Sequence, residues 1–300
     1  MDAYDDLVGR GRLTEHVPLA GYTTYRFGGP ARFLVETDSE GDVIAAGRLA
    51  AERGVEVLAL GRGSNLVISD DGFDGVVVRL GPGLSWVEVI EDGVVAAGAG
   101  HPLPLLAREA VRRGRGGLEF YTGIPGSVGG AVRMNAGCHG SETSEWLIDA
   151  RVVDLRTATV ASRTPEQLGL SYRHSDLDDD DVVVSARFRT IAIDPIQGEE
   201  AIREITRWRR DHQPGGTLNA GSVFKNPPGD HAGRLIDAAG LKGMRMGGAE
   251  VSDRHANFFV AHPGATARDV FRLVTEVRSR VLAAFGVELV PEIRFVGEFR

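Results

Sequence analysis

Only one cysteine, Cys138, occurs in the 300 residues. An internal disulfide is therefore impossible, and a zinc or iron–sulfur site built on the cysteines of one chain is excluded with it. A reducing cytosol is the compartment that fits this usage. Long apolar runs are lacking too: none approaches the ~20 residues that a membrane-crossing helix needs. The opening Met1-Asp-Ala-Tyr-Asp-Asp6 is acidic without an apolar centre, so it does not read as a secretory signal. Positive charge is in deficit, with 34 Lys and Arg against 42 Asp and Glu. The resulting net charge of −8 opposes general nucleic-acid affinity but leaves room for local basic pockets around a phosphorylated ligand. The 8 histidines show no His-Glu-x-x-His spacing and no other metal pattern.

What is present is ordinary in bulk, 42% apolar and 25% charged residues, and the length allows two or three domains with real cores. Arg32 to Glu36 reads as a strand. Ser39 with Asp42 has the form of a capping box, opening a helix that ends near Gly54. Val55 to Leu60 reads as a buried strand running into Gly61-Arg-Gly-Ser-Asn65, where a dinucleotide fingerprint would stand. That fingerprint needs a small third residue and a following helix. Position 66 is leucine instead, the stretch from Val67 to Gly75 is turn-rich, and Val76 to Val78 favours a strand. The loop can still bind phosphate through clustered backbone N–H groups, but not as that fold.

Strand-like segments alternate with glycines from Trp86 to Gly100, and Pro104 to Arg113 reads as a short helix with Gly114 past its end. Ala150 to Leu155 and Val182 to Thr190 read as strands, separated by the acidic Asp178-Asp-Asp-Asp181, a solvated loop. The composition changes after Ile193-Asp-Pro195. Glu199 to Arg210 reads as an amphipathic helix. Another is expected from Ala267 to Phe285, boxed by Thr266 and Asp269, with Val270, Val274, Val277, Val281 and Phe285 on one face and Gly286 as its stop.

Six glycines fall within the 18 residues from Gly123 to Gly140. Glycine loses the most conformational freedom on folding, so a domain concentrates it where backbone turns sharply or lies against a ligand. Pro125 stiffens the run, while Ile124, Val128, Val132 and Met134 need burial, which a flexible linker would not supply. Two readings stand: a turn-rich core segment, or a wall for a flat or phosphorylated cofactor. Further on, Asn219-Ala-Gly-Ser-Val-Phe-Lys-Asn-Pro227 surrounds the hydroxyl of Ser222 with small residues. Ser222 is a turn serine or a hydrogen-bond donor; no Gly-x-Ser-x-Gly elbow supports a serine hydrolase. Lys225 and Asn226 suit a phosphate or a sugar. Arg173, within Ser171-Tyr-Arg-His-Ser175, is either a surface ion-pair partner or a planar fork for a carboxylate. Glu292, in Pro291-Glu-Ile-Arg-Phe295, would alone pass for a surface residue. Gly240 to Asn257 has the look of a glycine-rich ligand loop, with His255 more readily structural than liganding.

In this order the segments resemble the UDP-N-acetylenolpyruvoylglucosamine reductases (UDP-N-acetylmuramate dehydrogenases), flavoenzymes of bacterial peptidoglycan synthesis. The resemblance is carried by Thr24-Tyr-Arg-Phe-Gly-Gly29, Leu60-Gly-Arg-Gly-Ser-Asn-Leu66, Gly117-Leu-Glu-Phe120 and Gly123-Ile-Pro-Gly-Ser-Val-Gly-Gly130. Tyr172-Arg173, Ala220 to Pro227, Ala239 to Gly243, His255-Ala-Asn257 and Pro291 to Phe295 complete it. It extends from about residue 20 to the end of the chain.

The resemblance implies an α+β fold: a two-subdomain FAD-binding region of the vanillyl-alcohol-oxidase class and a C-terminal α+β substrate-binding domain. Residues 1–80, joined by 290–300, would form the first FAD subdomain, 81–195 the second, and 196–289 the substrate domain. Non-covalent FAD would lie on Gly61, Gly63, Ser64, Asn65, Gly123, Ile124, Pro125, Gly126, Ser127, Gly129, Gly130 and Ala131. NADPH would reduce the flavin, which passes hydride to the β-carbon of the enolpyruvyl group of UDP-N-acetylglucosamine enolpyruvate. Negative charge then develops at the α-carbon and spreads into the carboxylate. Arg173 and Glu292 match the positions that stabilise it, and Glu292 must carry a proton or act by hydrogen bonding, since a second bare carboxylate would repel the first. Ser222 matches the acid that protonates the α-carbon, and Tyr172, Lys225 and Asn226 match substrate contacts.

Two departures are visible. His212 stands near where several relatives place a phosphate-contacting lysine, and no tyrosine capping loop lies between Arg173 and Ser222, so the chain resembles the shorter subtype. The expected partners are the small-molecule substrate and NADPH, with no metal, no nucleic acid and no membrane, in a cytoplasmic monomer. The competing readings are another FAD-linked oxidoreductase, which would not need Ser222, Arg173 and Glu292 together, and a non-catalytic UDP-sugar-binding module, which would purify colourless.

Overall fold

The computed structural model describes residues 2–90 and 93–299. Met1 and Arg300 lie outside the described residues, as do residues 91 and 92 of the stretch read as strands alternating with glycines. The chain divides into two compact units. One comprises Met1–Val17, Arg32–Arg62 and Asp74–Trp208; the other comprises Pro18–Ala31, Gly63–Phe73 and Arg209–Arg300.

The first unit holds the two larger sheets. One has the strand order Leu13–Pro18, Pro30–Thr37, Phe73–Leu80, Glu56–Leu60, and its last two strands run parallel. Helix Glu40–Arg53 packs on it through Val43, Ala46 and Leu49 against Phe33, Val35, Val76 and Val78. Ser39 caps this helix by accepting from the Asp42 N–H, and Gly54 ends it in the left-handed conformation. The return bond of a full capping box is displaced, because Asp42 Oδ2 accepts from Asp38 N–H at 3.0 Å. The second sheet is antiparallel, ordered Thr159–Arg163, Leu147–Asp154, Asp181–Arg189, Val94–Gly98, Val87–Ile90. Helix Leu103–Arg112 covers it with Leu103, Leu106, Ala107, Ala110 and Val111, all essentially inaccessible.

The acidic run differs from its expected form. Asp178 and Asp179 are exposed, but Asp181 begins a strand, is buried, and accepts from Arg163 Nη2 at 2.7 Å. A charge-assisted bond to a guanidinium makes that burial tolerable. Helix Pro195–His212 runs beyond the expected Glu199–Arg210 at both ends.

In the second unit, helix Ala267–Phe285 packs on a three-stranded antiparallel sheet of Arg245–Met246, Ala249–Val251 and Phe259–Ala261. Val270, Leu273, Val274, Val277 and Val281 are at most 2% exposed. Each such side chain contributes about 1.5–3 kcal/mol by leaving water. The Thr266–Asp269 capping box forms in full, and the Asp70 carboxylate accepts from the N–H groups of Ala267 and Arg268 at 2.9 and 3.1 Å. Within Gly240 to Asn257 the glycines at 247 and 248 turn a tight hairpin between the first two strands of this sheet. The segment after Gly61 carries no helix. Leu66–Ile68 is a strand, paired in parallel with Arg294–Val296. This removes the dinucleotide fold structurally, and Val67 and Ile68, at the start of the stretch read as turn-rich, belong to a strand. Among the described residues no helix is long and apolar enough to cross a membrane.

Candidate active site

In the first unit the glycine-rich run is a layered scaffold. Helix Val128–Arg133 starts at Ser127, whose hydroxyl accepts from Gly130 N–H at 3.5 Å. Two inward bonds pin its first turn: Val128 N–H donates to the His101 carbonyl at 3.0 Å and Gly129 N–H to the Ala99 carbonyl at 2.8 Å. Val128, Gly129 and Ala131 are therefore buried, while Pro125 and Gly130 remain on the surface. Gly61, at the end of strand Glu56–Leu60, meets this scaffold directly. A Cβ there would stand 2.3 Å from Ser127 Oγ, so a larger residue would have to turn that hydroxyl away from the helix start that it caps. Sequence positions 61 and 127 thus meet in one place.

The residues present fit a bound flavin nucleotide on one structural observation. Thr122 Oγ1, one residue before Gly123, is buried without a hydrogen-bond partner, beside a backbone that offers glycine and proline in place of bulky side chains. A buried polar atom without a partner costs of the order of 1–3 kcal/mol, which a ligand atom would relieve. His101 Nε2 is orphaned likewise, 3.6 Å from Glu109 Oε1. Burial pushes the His101 pKa below its ordinary value, with Glu109 opposing.

Stability is then present in full above the unfolded-state pKa of about 6.5 and is lost as the pH falls through the lower folded-state value. His101→Gln should flatten that acid slope, read as the change in urea midpoint between pH 8 and pH 5. An unchanged slope would contradict it. His255 keeps a share of the slope, since burial lowers its pKa as well.

Arg173 occupies a hairpin tip in the same unit. Ser171 and His174 exchange backbone hydrogen bonds at 3.1 and 3.0 Å, leaving Tyr172 and Arg173 as the turn residues. Arg173 has a φ of 54°, a left-handed conformation that costs a non-glycine residue about 1–3 kcal/mol. Its Nη2 donates to the Gly137 carbonyl at 2.5 Å and its Nη1 to that of Asn135 at 3.4 Å, so the guanidinium is fastened to the glycine-rich run. Tyr172 is 47% exposed, with the guanidinium 5.1 Å from its ring centre.

The second unit assembles the other predicted residues into a ladder. The segment Ser222 to Lys225 lies between two others. On one side Ser222 bridges Phe258, Val223 N–H donates to the Asn257 carbonyl at 2.8 Å, and the Asn257 side chain bonds both polar groups of the Phe224 backbone. On the other, Glu292 N–H donates to the Val223 carbonyl at 2.7 Å and Lys225 N–H to the Val290 carbonyl at 2.9 Å. Asn65 continues the ladder, with Nδ2 donating to the Glu292 carbonyl at 3.0 Å and its own carbonyl accepting from Arg294 N–H at 2.9 Å. Val223 and Phe224 point into the core, and Ser222, Lys225 and Glu292 are partly exposed.

Gly63 is locked against Tyr22, where a Cβ would meet the carbonyl oxygen at 2.1 Å, and Ser64 follows it, half-buried. Asn226 has a structural duty: its Oδ1 accepts from Ala232 N–H at 3.1 Å at the start of helix Ala232–Ala238. His212 is exposed at the end of its helix. Among the described residues no group of three or more His, Cys, Asp or Glu is placed to hold a metal ion. Sequence reasoning passed over Thr122, His101 and Asn135. Asn135 is wholly buried inside the glycine-rich run, and a polar residue amid glycines was the one signal available.

Two family models match this chain. Residues 31–162 match the FAD binding domain model, and residues 213–296 match the model of the UDP-N-acetylenolpyruvoylglucosamine reductase C-terminal domain. The chain is therefore an FAD-dependent oxidoreductase of α+β architecture, with an FAD-binding region of the vanillyl-alcohol-oxidase class and the reductase C-terminal domain. A UDP-N-acetylenolpyruvoylglucosamine reductase of Rubrobacter xylanophilus is 48% identical over 283 residues, covering 94% of each chain. One from Parasynechococcus marenigrum is 43% identical over 294 residues, covering 95% of this chain and 96% of that one. The crystal structure of the reductase from Thermus caldophilus superposes with a TM-score of 0.81 at 37% identity, covering 94% of this chain and 98% of that one. The chain belongs to the UDP-N-acetylenolpyruvoylglucosamine reductase family.

Proposed function

We propose that the protein reduces UDP-N-acetylglucosamine enolpyruvate to UDP-N-acetylmuramate in the cytoplasm, with NADPH as reductant, supplying a peptidoglycan precursor for cell-wall growth. FAD, when bound, supplies the hydride chemistry, accepting from NADPH and giving to the enolpyruvyl group. The chain's own residues do the rest. The loop residues Gly61, Gly63, Ser64 and Asn65 and the run from Gly123 to Ala131, with Thr122, hold and orient the cofactor. The Arg173 guanidinium faces the substrate carboxylate and stabilises the charge that grows there. Glu292, carrying a proton, donates a hydrogen bond to the substrate carboxylate, where a second bare carboxylate would repel it. The Ser222 hydroxyl delivers a proton to the α-carbon, which is a strong enough base at that moment to accept from a weak acid. Tyr172, Lys225 and Asn226 bind the nucleotide sugar.

The observation that supports this most is the ladder joining Ser222 to Glu292. Two residues far apart in sequence share adjacent backbone segments, with Glu292 N–H bonded to the Val223 carbonyl at 2.7 Å. Oxidases that use only the flavin loops have no need of that pairing. The test is consumption of NADPH by purified yellow protein with and without UDP-N-acetylglucosamine enolpyruvate, with the product read by mass. Substrate-dependent consumption and a product two mass units heavier are expected. Equal consumption without substrate, at the expense of oxygen, would favour an oxidase instead.

A further inference from the structure

Asn135 makes contacts on three sides without any exposure to solvent. Its Nδ2 donates to Glu142 Oε1 at 3.0 Å and to the Ser171 carbonyl at 2.9 Å, while its Oδ1 accepts from Ser144 N–H at 2.9 Å. Only a carboxamide offers donors on one branch and an acceptor on the other at this length. The Ser171 carbonyl belongs to the closing pair of the hairpin that carries Arg173, and the Asn135 carbonyl accepts from Arg173 itself. Asn135 thus touches both the base of the hairpin and the guanidinium at its tip. Its own φ of 39° lies in the left-handed region that asparagine tolerates better than most residues.

We propose that Asn135 is the positioning residue for Arg173, fixing hairpin Ser171–His174 so that the guanidinium meets the substrate carboxylate. This rests on the role given to Arg173 in the proposed function. Arg173 holds a conformation that it would not adopt in a free loop, and the bonds to Asn135 and Gly137 compensate for it. Removing the side-chain grip on Ser171 releases the hairpin and leaves the carbonyls of residues 135 and 137 in place. A misplacement of about 1 Å at a reacting group costs on the order of 100-fold in rate.

Asn135→Asp is the sharpest test, because it keeps the shape and sets a carboxylate oxygen against the Ser171 carbonyl and the Glu142 carboxylate. Rapid mixing should show about 30- to 100-fold slower reoxidation of the reduced flavin by the enolpyruvyl substrate. Reduction by NADPH and FAD content should stay within about twofold of the parent, a split that a merely structural residue would not produce. In an Arg173→Ala background the same substitution should add less than about threefold, since the two residues act as one. Full additivity, or equal slowing of both half-reactions, would overturn the proposal. Should Asn135→Asp not fold, Glu142→Ala decides: at least about fivefold slower reoxidation is expected from loss of one anchor, and the parent rate overturns the proposal. Arg173→Ala alone separates this inference from its foundation. Reoxidation at the parent rate there removes Arg173 from the chemistry and Asn135 with it. A slow Arg173→Ala beside a fast Asn135→Asp removes only the positioning role.

Discussion

Ser222→Ala should reduce its flavin with NADPH at the parent rate and then return it to the oxidised form about 100- to 10,000-fold more slowly when given the enolpyruvyl substrate. That range is what a well-placed proton donor contributes. The substitution removes a single hydroxyl from a partly exposed residue and leaves Val223 and Phe224 in the core. Ser222 is held by its backbone bridge to Phe258, and the neighbouring Asn219 side chain accepts from Gly221 N–H at 3.0 Å, so neither support depends on the hydroxyl. Stability should therefore change by no more than about 0.5 kcal/mol. The loss should fall on one half-reaction alone, because NADPH oxidation requires no proton at the substrate carbon. Rapid-mixing traces with equal slowing in both half-reactions would remove Ser222 from the proton transfer.

Glu292→Gln should keep FAD and lose turnover by about 100- to 1000-fold, within what a positioned acid contributes, because the amide still donates a hydrogen bond but has no acidic proton to share. The ladder bonds of this residue are all main chain: its N–H donates to Val223, and its carbonyl accepts from Asn65 Nδ2. Glutamine preserves both, so the loop at Asn65 stays in place. What changes is the acid–base character of the side chain. The flavin absorbance of the purified variant and its steady-state rate with saturating substrate check this together, and near-normal turnover with full flavin would place Glu292 outside the reaction.

Local signals in the chain were legible where the physics is local. Thr266, Asp269 and Gly286 mark the ends of helix Ala267–Phe285 because capping involves groups within one turn. The missing third glycine at Leu66 excluded the dinucleotide fold, and a strand stands there in place of a helix. Readings failed where a distant partner decides. Asp181 looked like solvated loop because nothing near it in sequence announces Arg163, and a guanidinium makes a carboxylate burial-tolerant from 18 residues away. Glycine serves hairpin turns as well as ligand cradles, and Gly247 and Gly248 join strands only two and three residues long.

The site shows the same division. Ser222, Arg173 and Glu292 were singled out through resemblance, as points in an ordered set of short motifs. Their supports were not. The Asn257 clamp on Phe224, the Asn65 bond to Glu292 and the Asn135 grip on Ser171 each join segments 33 to 227 residues apart. Composition and periodicity say nothing about such pairs. Thr122 is the clearest case, an unremarkable threonine whose significance comes only from being buried without a partner beside Gly123.

The central claim is that hydride leaves the reduced flavin for the enolpyruvyl group. The measurement that reaches it most directly is anaerobic: purified protein is bleached with one equivalent of NADPH, then mixed with UDP-N-acetylglucosamine enolpyruvate while the flavin absorbance is followed. Return of the oxidised spectrum, with one UDP-N-acetylmuramate formed per flavin, is the expected result. A flavin that stays bleached under substrate and recovers only on admission of oxygen would contradict the account.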